Sequence, residues 1–152
     1  MKAKHVLIVL CLLCTKAGFA QDRLFEKYAD MDNVTSIYIS KAMFQLMPEI
    51  KDAGVNLSRL KGKMESFRLI SSAGKEQISL MRKDFSQPVQ SERQELMRIR
   101  DGQTRVTFYS GVKGDGISEL LVLADADSSF TVIQLTGDFT LKDIQELVNE
   151  QM

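Results

Sequence analysis

The spacing of turn signals in the second half of this chain constrains its fold more than any other feature. Between residues 96 and 135, apolar and β-branched stretches are separated by Asp101-Gly102, by Gly111, Gly114 and Gly116, and by Asp125 to Ser129. Each gap is too short for a crossover helix, so neighbouring strands must run antiparallel as hairpins. Leu96 to Arg100, Arg105 to Tyr109, Ile117 to Ala124 and Phe130 to Leu135 therefore read as four successive strands. Asp-Gly is a favoured hairpin turn because such turns need positive φ. Leu120-Leu-Val-Leu123 is apolar on both faces, which places that strand in the middle of a sheet. Arg98, Arg100 and Thr107 alternate with apolar neighbours, so one face of the outer strands is expected to be wet.

The first half mixes helices and strands. Leu24, Phe25, Tyr28 and Met31 fit an amphipathic helix that Asp30 to Asn33 breaks. Val34-Thr-Ser-Ile-Tyr-Ile39 reads as a strand, since β-branched and aromatic residues suit a pleated surface. Ala42, Met43, Leu46, Met47 and Ile50 share a helical face until Pro48 kinks or ends it. Residues 52–63, with Gly54 and Gly62, read as a loop. Phe67 and Leu69 alternate with Ser66 and Arg68 in a second strand, Ser71 to Gly74 form a turn, and Ile78, Met81 and Phe85 mark a helix that Pro88 should close.

Near the end, Thr140 and Asp143 have the spacing of a capping box, with Phe139 and Ile144 as its hydrophobic staple. Ile144, Leu147 and Val148 would face the sheet. The expected fold is α+β: a mostly antiparallel sheet of about five to six strands with helices packed on one face. No repeat, low-complexity tract or linker interrupts it.

The N-terminus reads as an export signal. Lys2, Lys4 and His5 precede an apolar run from Val6 to Cys14, and Gly18-Phe19-Ala20 follows Thr15 and Lys16. A basic region, an apolar region and small residues at the −3 and −1 places form the order that a signal peptidase reads. The apolar run falls short of the roughly 20 residues that span a bilayer. Cleavage after Ala20 is expected, leaving residues 21–152 as one exported domain, periplasmic or extracellular, with no transmembrane segment. A lipid anchor is less expected, because bulky Leu10 and Leu13 precede Cys11 and Cys14.

Both cysteines and the single histidine lie in that signal, and the chain has no tryptophan. The remainder has no thiol nucleophile, no Cys/His zinc site and no Ser–His pair. No cofactor is expected, and any metal would need oxygen ligands. The whole chain balances 20 Lys and Arg against 20 Asp and Glu. Since Lys2, Lys4 and Lys16 leave with the signal, the domain is slightly acidic, which argues against nucleic acid as a partner.

Phe25-Glu-Lys-Tyr28, Val34-Thr-Ser-Ile-Tyr-Ile-Ser-Lys-Ala-Met43 and Phe130-Thr-Val-Ile-Gln-Leu-Thr-Gly137 together resemble a family of small exported proteins from Bacteroidetes-type bacteria. It is catalogued as domain of unknown function 4252. The resemblance spans essentially the whole exported domain and implies an exported protein of about this length. It implies no reaction, ligand or catalytic residue.

Motifs that suggest chemistry are weak. An EF-hand loop starting at Asp30 would need Gly and Glu where Thr35 and Lys41 stand, and one starting at Asp125 meets Phe130 and Thr136. Both loops read as turns. Ser72-Ala-Gly-Lys75 matches the Ser-x-x-Lys pattern of penicillin-recognising enzymes without its companion motifs. Gly111-Val-Lys-Gly-Asp-Gly116 opens a strand, whereas a phosphate loop should open a helix. The methionines, Met43, Met47, Met81 and Met97 among them, sit mostly at core-facing places. Asn33-Val-Thr35 and Asn56-Leu-Ser58 match glycosylation sequons by chance.

The reading these observations favour is an exported, non-catalytic protein that binds a macromolecule. Its expected surface is Arg98, Arg100 and Arg105, with Arg93 nearby, and its expected partner is an envelope protein or an anionic glycan or lipid headgroup. Two alternatives remain. One is a carboxylate-based hydrolase or lyase using Asp30, Asp32, Asp125 and Asp127. The other is a structural protein that assembles through its edge strands.

Overall fold

The expected turn spacing builds half of the sheet in the computed structural model, which describes residues 17–46, 51–52, 55–56, 60, 62–113 and 116–149. The strands β5 (Gln94–Asp101), β6 (Thr104–Lys113), β7 (Gly116–Asp125) and β8 (Phe130–Phe139) pair in succession, all antiparallel. The first hairpin closes one residue later than its Asp-Gly dipeptide suggests. Asp101 is still paired, with Thr104, and Gly102 opens the turn at φ 59°. Glycine takes that conformation without a steric cost, and a two-residue hairpin with the native twist requires it.

The N-terminal half completes the sheet. β4 (Met64–Ser72) lies against β8, and β1 (Val34–Ser40) lies against β4, both antiparallel. The order is β1-β4-β8-β7-β6-β5, an open six-stranded antiparallel sheet with β7 and β8 in the middle. A minimal pair, β2 (Lys51–Asp52) and β3 (Val55–Asn56), stands within the expected loop. Where β4 and β8 slip register at Met64, Gly137 passes against the Lys63 carbonyl so closely that a Cβ would collide with it. The Asp138 N–H donates to that same carbonyl at 2.9 Å.

Among the described residues, four helices surround the sheet: α1 (Ala17–Ala29), α2 (Lys41–Leu46), α3 (Lys75–Glu92) and α4 (Leu141–Asn149). The α1 helix runs through the Ala20–Gln21 bond at which the signal is expected to be cut. The α3 helix continues past Pro88, which withholds only the backbone bond to the Asp84 carbonyl and leaves the final turn intact. The α4 helix starts as its cap pattern requires. Thr140 donates its N–H to Asp143 at 2.8 Å, and Asp143 donates its own to the Thr140 hydroxyl at 3.2 Å. Of the three expected sheet-facing residues of α4, Ile144 is buried, while the side chains of Leu147 and Val148 lie outside the described residues. Residues 1–16, Met47, Pro48, Ile50, Gly54 and Gly114 also lie outside them.

The helical cover reaches beyond the one face expected. On the first face, Phe25 and Tyr28 of α1 and Ile78, Met81 and Phe85 of α3 pack on Ile70, Tyr109, Leu121, Leu123, Phe130 and Val132. The Phe25 and Phe85 rings meet edge to face, 5.8 Å between centroids. On the second face, Phe44 of α2 and Ile144 of α4 join Leu60, Met64, Ile117, Leu120, Leu135 and Phe139. The reason lies in β7, whose Leu120 and Leu121 point to opposite faces and each need cover from water.

Candidate functional site

The α3 helix sends its apolar stripe into the sheet, and that orientation sets its polar flank beside β5 to β7. Ser79, Arg82, Lys83 and Ser86 form one wall of a cleft of about 510 Å³. Arg98 of β5, Arg105, Thr107 and Tyr109 of β6, and Leu123 and Asp125 of β7 form the floor and the far wall. Register fixes where the arginines point. Arg98 pairs with Thr107, and Arg100 pairs with Arg105, so all three share the face that α3 covers.

That placement corrects one expectation. The arginines stand not on a helix-free wet face of the sheet but beside α3, whose apolar stripe packs on the middle strands. Alternation tells which residues share a face, and it is silent on which helix reaches that face. Arg98 and Arg105 line the cleft, and Arg100 stands directly across from Arg105. Arg93 belongs elsewhere, in a half-buried network: its Nε donates to Glu119 at 2.5 Å, and Gln134 donates to the same carboxylate at 2.9 Å.

The charges in the cleft are unequally matched. Arg82 donates through Nε to Asp125 at 2.8 Å and through Nη2 to the Ala126 carbonyl at 2.9 Å. Arg98 donates to Glu95 at 2.8 Å. Among the described residues, no ion pair engages Arg100 or Arg105, while the Lys83 charge acts on the neighbouring Asp84 carboxylate. Like charges directly opposed on neighbouring strands repel, as Arg100 and Arg105 do, while Asp125, already held by Arg82, lies across from Arg105 on its other side. A carboxylate, phosphate or sulfate entering here would relieve that repulsion and suit the planar guanidinium fork. Thr107, buried beneath the arginines, adds a hydroxyl to the floor.

A side-chain cluster on α1 holds this wall in place. The Tyr28 hydroxyl donates to Asp84 at 2.5 Å, and Lys27 donates to the same oxygen at 2.9 Å. Burial pushes the Asp84 carboxyl up, but these two hydrogen bonds and the charges of Lys27 and Lys83 together outweigh it and hold the group below its ordinary value. Burial, and then the Asp84 carboxylate, push the Tyr28 hydroxyl well above its own. Asp84 adjoins Lys83, so the contact fixes the turn of α3 that presents the cationic flank.

The acidic loops contribute no carboxylate to a shared groove among the described residues. They stand at the same end of the sheet, and Asn33 and Ser129 line one shallow groove, but no carboxylate lines it. Asp30, Asp32 and Asp127 are exposed, and Asp125 is held by Arg82. Asn33 adopts φ 62°, the turn chemistry expected of it, and its carbonyl accepts the Ser72 hydroxyl at 2.6 Å. Ser72 also accepts the Gly74 N–H at 3.1 Å, so the Ser-x-x-Lys pattern is a strand-to-helix turn. Among the described residues, no group of three or more His, Cys, Asp or Glu side chains could hold a metal. No helix among them is long and apolar enough to cross a membrane.

Arg82, Lys83 and Asp125 complete the cleft without having stood out as binding residues in the sequence. The available signal was the Arg82-Lys83 pair flanking the apolar stripe of α3.

A family model described as domain of unknown function DUF4252 matches residues 28–147. No curated protein and no solved structure matches the chain.

Proposed function

The chain belongs to the DUF4252 family, whose description assigns no activity, and we propose from the cleft itself that it is an exported, non-catalytic protein that binds an anionic group of an envelope macromolecule. One observation carries this reading: Arg100 and Arg105 face each other across β5 and β6, beside Arg98 and Lys83, at the mouth of an open cleft. An arrangement that costs stability in the free protein is one that an anion stabilises. The ordered basic, apolar and small-residue regions of residues 1–20 support export. The partner is a carboxylated or phosphorylated glycan, an anionic lipid headgroup, or an acidic segment of an envelope protein.

The test pairs Arg98→Glu with Arg100→Glu. Binding to an anionic polysaccharide and to anionic vesicles is measured at low and high salt, with neutral polysaccharide and zwitterionic vesicles as controls. The charge reversal should weaken binding at least tenfold and leave the melting temperature within a degree or two, since exposed substitutions change stability by about 0.5 kcal/mol or less. Binding that ignores both the double variant and salt overturns the assignment.

A further inference from the structure

The second face of the sheet carries a feature that the anionic cleft does not use. Ile37, Leu69, Ile133, Val122, Phe108 and Met97 are cross-strand partners in unbroken sequence over all six strands. They form one straight apolar row. A second row beside it runs from Thr35 through Thr131 and Ala124 to Ile99, also without charge. Charged strand residues such as Arg68, Arg98, Arg105 and Asp125 project to the other face. The inner members of the first row are half-buried, while Ile37 and Ile99 at the outer strands are 41% and 42% exposed. An uncharged floor of this breadth marks an interaction surface.

Next to that floor stands a step. The α2 and α4 helices cover the other end of the same face and bury Phe44 and Ile144 beneath them. Their upper surface is apolar as well, with Met43 48%, Leu46 78% and Leu141 62% exposed. Area decides what fits. Six strands about 4.8 Å apart, and two rows about 7 Å apart, give a floor of roughly 400 Å². That is about half of the roughly 800 Å² per partner of a stable interface. Floor against floor is therefore too small. A twofold axis lying across the strands does better, because it seats the step of each copy on the floor of the other. Both halves of the face are then used, so each partner buries its step in addition to its floor.

We propose that a second copy of this chain covers the open floor, the α2–α4 step of each copy resting on the two apolar rows of the other. The arrangement leaves both cationic clefts on the outer surfaces, so the dimer presents two anion sites facing away from each other.

Sedimentation of the protein recovered from the cells that make it tests this between about 1 and 100 μM. A dimer is expected. Ile37→Glu with Ile99→Glu alters the floor, and Leu46→Lys alters the step. Each variant should weaken dimerisation at least 100-fold while keeping the circular dichroism of the fold. An equimolar mixture of the two should dimerise again. In the mixed dimer one floor–step contact is native and the other sets lysine on glutamate. A monomeric protein at 100 μM overturns the proposal, and so does a dimer that ignores both variants. Failure of the mixture to dimerise overturns the reciprocal twofold geometry. Since Leu46 is exposed in the single chain, loss of dimer in its variant cannot be attributed to misfolding.

Discussion

Under α1 and α3, the first face of the sheet places large apolar side chains in its middle and arginines at its β5–β6 margin. The second face reverses the plan: helices close one end, and among the described residues the other end shows two uncharged rows whose inner members, Phe108, Val122 and Ile133, pack against that cluster while Ile37 and Ile99 stay exposed. The same strands supply both faces, so backbone and turn chemistry cannot account for the difference. It lies in alternate residues. Leu121 and Val122 are neighbours in sequence, yet one is fully buried under helices and the other is half-buried on the floor. Such an asymmetry separates two demands within one sheet. The first face closes its cluster under α1 and α3, while the second closes a cluster at one end and leaves Ile37 and Ile99 exposed on its outer strands.

Replacing those two neighbours one at a time attacks the comparison most directly. Leu121→Ala should cost about 3 kcal/mol, because it opens a cavity in a closed cluster. Val122→Ala should cost about 1 kcal/mol or less in the single chain, since little apolar area is newly lost from cover. Denaturant titration checks both. Equal costs would show that the floor is covered within the chain, while a Val122 cost that grows with protein concentration would place its cover in the second copy.

A smaller effect is expected at the contact between α1 and α3. Tyr28→Phe should lower stability by about 1 kcal/mol, as a partly exposed hydrogen bond to a charged group is lost. The sign of its pH dependence follows from the Asp84 carboxyl, which is held low in the folded state. Such a group contributes stability that is present above its unfolded pKa and is lost as pH falls through the folded one. The variant's deficit should thus be full above about pH 5 and narrow below about pH 4. Melts across that range would contradict the account if the deficit grew in acid.

The smallest expected change is a gain. Arg100→Thr removes one member of the opposed arginine pair and should raise stability by a few tenths of a kcal/mol at low salt. The gain should vanish in about 1 M salt, where charges are screened within about 3 Å. A loss of stability would mean that the arginines are structural and that the first face holds no vacancy for an anion.

Local signals in the sequence carried most of the fold. The capping box at Thr140 and Asp143 formed as spaced, as did the two-faced strand at Leu120 to Leu123, and the hairpins formed in the expected order with the first turning one residue late. What the sequence hid was relative placement. Period-two alternation put Arg98 and Arg100 on one face, but α3 is packed by its own stripe, and nothing local states where its flank will lie. The pairing of β4 with β8 was hidden for the same reason, as it joins strands more than fifty residues apart. Pro88 misled because a proline near the end of a long helix removes one bond from a ladder that packing already secures.

That distant pairing has a consequence for how the chain reaches this structure. β5 to β8 can assemble from their own short turns, whereas β4 must wait for the last strand, with Ser72 opposite Phe130 and Met64 opposite Gly137. Closing so long a loop precedes any reward from the contacts it makes, so this step sets the pace of folding. Synthesis releases the N-terminal half first. One edge of β4 therefore stays unsatisfied until Phe139 has emerged, and a chain interrupted within β8 leaves two unjoined pieces rather than a smaller sheet.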